Sequence, residues 1–112
     1  MATVVADGAV YNLAVGLPYG GTYTGFSEWT KMFTKSTEFF DLQIEKEPTY
    51  FSDASKNEVI IYFIMSCKSK RSGKTMSVPI SEHIDLKDGK ITAVRSFYYD
   101  TKQFAEFLKS KK

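Results

Sequence analysis

The feature that most constrains the fold is the stretch 74–100, where apolar and polar residues alternate in a first arm and a turn leads into a second arm rich in β-branched and aromatic residues. Side chains of a β-strand point alternately to opposite faces, so the first arm predicts a strand with one apolar and one polar face. Asp88-Gly89 suits the turn because both residue types accept positive φ. The stretch therefore predicts a long β-hairpin. The apolar face of its first arm carries Met76, Val78, Ile80, Glu82, Ile84 and Leu86.

Glu82 is the single carboxylate on that apolar face, and the turn geometry decides its partner. With a two-residue turn at Asp88-Gly89, Glu82 faces Arg95 and the two form a structural ion pair. With a three-residue loop over 87–89, Glu82 faces Val94 and has no cation opposite, which makes it a candidate proton donor. The sequence permits both registers. In the second, the residues sharing its face are Thr92, Val94, Ser96 and Tyr98.

Composition and charge argue against several classes of function. The chain of 112 residues predicts one domain spanning 1–112, and its net charge of +2 shows no basic stripe of the kind that binds nucleic acid. No run approaches the ~20 apolar residues of a membrane helix, so no membrane partner is expected. The single cysteine, Cys67, fits a reducing compartment and predicts a cytoplasmic protein. One histidine and scattered acids offer no metal-ligand spacing, so neither a metal nor a cofactor is expected.

The remaining patterns predict an α+β fold with a strongly bent, mostly antiparallel sheet. After the helix they predict four antiparallel strands, and they leave the glycine-rich segment 16–25 as an irregular loop. In chain order the predicted elements are a strand over Val4–Val15, a helix over Phe26–Glu38, strands over Phe40–Ile44 and Glu58–Lys68, the long hairpin, and a short helix that begins near Asp100 and turns Phe104, Phe107 and Leu108 inward.

Two phrases resemble a known family. PYGGTYTGFSEWTKMF, residues 18–33, is similar to the "G-x-(Y/F)-x-G-x-x-x-(W/V)-x-x-F" segment of the SnoaL-like branch of the nuclear-transport-factor-2-like (NTF2-like) superfamily. EHIDLKDGKITAVRSFYYDT, residues 82–101, is similar to that branch's "H-x-x-x-x-x-(D/N)-G-K-I-x-x-x-x-x-(Y/F)-x-D" ending. The resemblance covers about residues 8–108. It implies a cone, in which a curved sheet wraps around a pocket, and a relationship to ketosteroid isomerases, polyketide cyclases and limonene-epoxide hydrolases.

The chain departs from the family at positions that bear on function. The N-terminal helices that usually close the wide mouth of the cone have no counterpart before the first strand. The aspartate base of the isomerases is matched by Asn12, and the catalytic aspartate of the cyclases by Ser96. Glu82 falls where the isomerases hold a protonated carboxylic acid and the cyclases a histidine. The resemblance therefore implies the pocket but leaves the usual acid–base pair incomplete.

These observations predict a domain that binds a small hydrophobic molecule in an apolar, aromatic pocket. One alternative is an enzyme of the isomerase or cyclase type that uses Glu82 as a general acid on a small hydrophobic carbonyl substrate, and another is a dimerisation module without a ligand. Strand 58–68 is apolar on both faces, so a homodimer through the outer face of the sheet is also expected. The predicted ligand-binding residues are Asn12, Trp29, Phe40, Val94, Ser96 and Tyr98; Tyr11 is expected in the core or the pocket wall.

Overall fold

The computed structural model describes residues 4–111. Seven strands form one curved sheet, and two helices pack against it. The α+β class and the position of both helices agree with the prediction. In chain order the elements are β1 (Val5–Leu13), β2 (Gly21–Thr24), α1 (Phe26–Ser36), β3 (Phe40–Ile44), β4 (Thr49–Asp53), β5 (Glu58–Ser69), β6 (Thr75–Lys87), β7 (Lys90–Tyr98) and α2 (Thr101–Lys109).

The sheet is mostly antiparallel. Its strands follow the order β2-β1-β7-β6-β5-β3, and β4 also pairs with β5. The exception is β1, which runs parallel to β7 and places Tyr11 beside Val94. The first strand is thereby joined to the last, so residues from both ends of the chain meet on one wall.

Two strands lie where the sequence predicted none. β2 falls inside the glycine-rich segment predicted to be irregular, and it pairs with β1 from Val10↔Thr24 to Leu13↔Gly21. β4 falls after Pro48, where the sequence predicted a bend followed by a turn. Hence five strands follow α1 rather than four. Both missed strands are short, and their backbones are held by the neighbouring long strand, a tertiary contact that local patterns do not reveal.

The hairpin of β6 and β7 has a two-residue turn, since Lys87 pairs with Lys90 and Asp88 has a φ of 52°. The register then shifts by one residue between Asp85 and Leu86. As a result Glu82 lies opposite Ser96 rather than either predicted partner. The prediction overlooked this β-bulge, which adds one residue to β7 and changes which of its side chains face the first arm.

Both helices pack on the inner, concave side of the sheet. In α1, Trp29 and Met32 are buried, and in α2 Phe104 is fully buried while Leu108 is nearly so. The carboxylate of Asp100 accepts a hydrogen bond from the backbone N–H of Gln103 at 2.9 Å, which caps α2 as predicted. No helix within residues 4–111 is long and apolar enough to cross a membrane.

Candidate functional site

A cavity of about 380 Å³ lies between the inner face of the sheet and α1. This volume is within the range of about 300–1,000 Å³ typical of small-molecule pockets. Its walls are almost entirely apolar and aromatic, and its mouth is bordered by apolar side chains that are 36–48% exposed: Val4, Phe26, Phe33, Leu42 and Ile44. Deeper in the cavity the wall includes Tyr11, Tyr19, Trp29, Met32, Phe40, Met65, Ile80, Glu82, Val94 and Tyr98.

One carboxylate interrupts this apolar wall. Glu82 Oε2 accepts a hydrogen bond from the hydroxyl of Ser96 at 2.6 Å and another from the hydroxyl of Tyr11. The Tyr11 and Ser96 oxygens are themselves 3.2 Å apart, so the three side chains form a closed cluster. Cross-strand pairing positions the cluster, because Ser96 lies opposite Glu82 and β1 runs beside β7.

The second oxygen of Glu82 has no protein partner within the described residues. Every buried side-chain polar atom in that part of the chain is hydrogen-bonded, so this Oε1 is open to the cavity rather than sealed in the wall. The only ion pair among residues 4–111 joins Lys70 and Asp41. Glu82 therefore faces the cavity with no cationic side chain beside it, and the ion pair with Arg95 that one predicted register required is not formed.

The phenol of Tyr11 is held in its protonated form. Burial raises its pKa well above the usual value of 10.0, and the neighbouring charge of Glu82 raises it further. Its ring meets the ring of Trp29 edge to face at a centroid distance of 5.1 Å and that of Phe33 at 5.7 Å. Tyr11 is thus fixed by aromatic packing while its hydroxyl serves as a hydrogen-bond donor.

A pair of tyrosine hydroxyls closes the inner end of the cavity. The hydroxyls of Tyr19 and Tyr98 are 2.6 Å apart, and burial raises the pKa of both phenols. Behind them, the ring of Phe104 packs against Tyr98 and against Phe40, with centroid distances of 5.7 and 5.5 Å. This end is therefore sealed by α2, and the open end is the apolar mouth.

Most of the predicted site residues come together in the cavity. Trp29, Phe40, Val94, Tyr98 and Glu82 line it. The indole N–H of Trp29 is not free, because it donates to backbone carbonyls of Ala9 and Tyr23, at 3.2 and 3.1 Å. Ser96 lies behind the wall and acts on the cavity through its bond to Glu82. A ligand-binding role for these residues remains a prediction.

Asn12 is a correction, because it does not line the cavity. Its side chain accepts a hydrogen bond from Thr22 Oγ1 at 3.0 Å, and in the sheet it lies beside Arg95 on the outer face. Tyr11, one residue earlier, occupies the inner face instead. The alternation of β1 could have indicated this, since Tyr11 and Leu13 share one face and Asn12 the other. One predicted register also put Thr92 on the same face as Glu82. Because of the β-bulge, Ile91 lines the cavity instead.

His83 takes no part in the cavity. It lies opposite Arg95 on the outer face, where its ring meets Phe97 at a centroid distance of 4.9 Å. Cys67 is fully buried, and burial raises the pKa of its thiol from 9.0 to about 12. Within residues 4–111 no group of three or more His, Cys, Asp or Glu side chains could hold a metal ion.

No family model matches the chain, and no curated protein matches its sequence. Solved structures do match its fold. An NTF2-like protein of unknown function from Burkholderia pseudomallei is 12% identical, with a TM-score of 0.85 over 96% of this chain and 82% of that one. A candidate polyketide cyclase from Xanthomonas campestris is 15% identical, with a TM-score of 0.79 over the same shares. TerC, co-crystallised with polyporic acid, is 18% identical, with a TM-score of 0.83 over 96% and 82%.

Identities this low establish a common fold alone. The chain has the fold of the NTF2-like proteins, and the resemblance predicted from its two sequence phrases is confirmed at that level.

Proposed function

We propose that this protein, an NTF2-like cone, binds a small and largely apolar molecule in the cavity between its sheet and α1. The observation that carries the proposal is the cavity of about 380 Å³ itself, with its apolar walls and a single open carboxylate. Burying an apolar ligand there would contribute roughly 25 cal/mol for each Å² of apolar surface removed from water. The candidate polyketide cyclase and TerC among the structural neighbours also suggest an organic ligand, with polyporic acid as one probe.

Trp29 supplies a direct reporter for the test, because it is the only tryptophan and lies in the cavity wall. Its indole N–H signal in a nitrogen–proton correlation spectrum should shift when naphthalene, 2-naphthol or polyporic acid is titrated. The melting temperature should rise in the same titrations, because a ligand that binds only the folded state stabilises it. If no probe shifts the signal at its solubility limit, the proposal is wrong.

Two matched variants locate the binding. Ile84→Phe adds an aromatic ring to the cavity wall and should weaken binding about tenfold or more, whereas Ile60→Phe makes the same change on the outer face and should leave it unchanged. Equal effects of the two variants would show that the probes bind elsewhere.

The second candidate function is an isomerase or cyclase-type enzyme acting on a hydrophobic carbonyl compound. The observation that favours it is the cluster of Tyr11, Ser96 and Glu82 on the cavity wall. Glu82 is the only carboxylate among the described cavity residues, so one group would have to take a proton from a carbon beside the carbonyl and then, as the general acid, return it to another carbon. In this candidate Tyr98, which lines the cavity, would orient the carbonyl oxygen.

Turnover separates this candidate from simple binding. Isomerisation of a cyclic unsaturated ketone should fall about a hundredfold or more in Glu82→Gln, a variant that keeps the side chain's shape but cannot transfer the proton. Wild-type protein that binds the ketone without converting it would exclude the enzyme and leave the binding function in place.

The same proposal includes a homodimer in the cytoplasm. Both helices pack on the inner side, and no described element covers the outer face of β4–β7. That face exposes aromatic side chains beside a groove of about 350 Å³ bordered by Tyr62, Pro79, Phe97 and Tyr99. A twofold contact through this face would bury the exposed rings of both copies. A dimer that binds none of the probes would leave only the dimerisation function.

The proposed location in the cytoplasm is supported by the single cysteine, because the buried, free Cys67 suits a reducing compartment.

A further inference from the structure

We infer that the ligand of this cavity is a hydrophobic amine, whose protonated nitrogen binds Glu82 while its apolar body fills the cavity toward the mouth. This inference rests on the proposed binding function and adds the chemical class of the ligand.

The first argument is the hydrogen bonding of Glu82. Both protein donors, the hydroxyls of Tyr11 and Ser96, point at Oε2. Oε1 remains open to the cavity with no protein donor in the described residues. A ligand that supplies a hydrogen-bond donor at this point completes the carboxylate's coordination, whereas a carbonyl or carboxylate oxygen placed there would meet a second acceptor.

The second argument is charge. No lysine, arginine or histidine is found among the described residues that line the cavity. A carboxylate in an apolar environment is stabilised most by an opposite charge in direct contact, and a ligand ammonium group would provide it. A ligand carboxylate would instead bring two like charges together in a site of low dielectric constant.

The third argument is the surrounding wall. Tyr11, whose hydroxyl donates to Glu82, packs edge to face with Trp29 and Phe33, so the carboxylate lies at the border of an aromatic wall. Between this point and the solvent the wall is apolar, and Phe26, Leu42 and Ile44 continue it to the mouth. An apolar body attached to the ammonium group fits this path, while a polar body would lose hydrogen bonds to water.

The test compares three probes that share one ring system: 2-naphthylmethylamine, 2-naphthylmethanol and 2-naphthoic acid, each titrated at pH 7 with the Trp29 indole signal as the readout. The amine should bind about tenfold or more tightly than the alcohol, as expected for a charge-assisted hydrogen bond against a neutral one, and the acid should bind most weakly. The inference is overturned if the alcohol binds as tightly as the amine or if the acid binds best. If none of the three binds, the proposed binding function itself fails.

A matched pair of variants tests whether Glu82 is responsible. Glu82→Gln should bring the ratio of amine to alcohol affinity close to one. Glu58→Gln removes an exposed carboxylate on the outer face of the neighbouring strand and should keep the ratio of the wild type. An unchanged ratio in Glu82→Gln would overturn the inference, and the wild-type probe series decides the question even if that variant does not fold.

Discussion

Glu82 and His83 are adjacent in the sequence, yet they lie on opposite faces of β6 and in different surroundings. Glu82 faces the cavity and accepts hydrogen bonds from Tyr11 and Ser96. His83 lies on the outer face, opposite Arg95, with its ring against Phe97. The same strand therefore contributes a hydrogen-bonded polar cluster to the cavity and a contact between two rings to the outer face.

The two faces also differ in how far their aromatic side chains are exposed to solvent. On the inner side Tyr19 is buried and Tyr98 is half-buried, and their hydroxyls are bonded to each other. On the outer side the rings remain in solvent, and Phe97 and Tyr99 are 51% and 84% exposed. The inner face therefore holds the buried residues that stabilise the fold and form the cavity, while the outer face leaves aromatic rings in solvent.

The largest expected effect is on the free energy of unfolding, when an aromatic ring is removed from the inner or the outer side of the sheet. Phe104→Ala should lower the free energy of unfolding by about 3–5 kcal/mol, because the ring is fully buried and a cavity remains. Phe97→Ala should cost less than about 1 kcal/mol, since half of the ring is already in solvent. Urea unfolding at low protein concentration, where association contributes least, measures both. Similar costs would contradict the contrast between the two faces.

A smaller effect is expected from the polar cluster of the inner face. Tyr11→Phe should lower the free energy of unfolding by about 1.5–3 kcal/mol, because it removes a hydrogen bond to a charged group at a buried position. His83→Ala, which removes a ring from the outer face of β6, should cost less. If Tyr11→Phe leaves stability unchanged, the cluster does not hold β1 against the hairpin.

A substitution on the outer face should change the association of the proposed dimer. Phe97→Glu should raise the dissociation constant of the proposed dimer about tenfold or more, because it places like charges across a twofold contact. Phe33→Glu introduces the same charge at the mouth of the cavity, where the ring is 48% exposed, and should affect probe binding but not association. Sedimentation equilibrium would measure both; a wild-type monomer at micromolar concentration would remove the basis for the dimer.

The pH dependence of stability should show a smaller effect, which comes from a buried phenol on the inner side of the sheet. Burial raises the pKa of Tyr19 above 10.0, so above pH 10 the unfolded chain releases a proton that the folded protein keeps. The free energy of unfolding must then fall as the pH rises, by about 1.4 kcal/mol per pH unit for each such group. Tyr19→Phe should make this fall shallower. Identical slopes in the wild type and Tyr19→Phe would refute the assignment.

Local alternation and composition were enough to predict several parts of this protein. They predicted the long hairpin, the helices beginning at Phe26 and near Asp100, and the inward direction of Glu82 and Phe104. These predictions succeed because a strand repeats every two residues and a helix every 3.6, so an apolar stripe identifies the buried face without knowledge of the partner. The two family-like phrases added the cone, which the structural neighbours confirm as the fold.

Which residues contact one another across the sheet could not be read from these local patterns. The bulge between Asp85 and Leu86 set Glu82 opposite Ser96, because a single added residue in one strand changes every later pairing while leaving the alternation of the other strand intact. The parallel pairing of β1 with β7 brought Tyr11 to Glu82 and turned Asn12 away. Such contacts join residues 71 positions apart in the chain, and their choice depends on the packing of the whole sheet rather than on any local pattern.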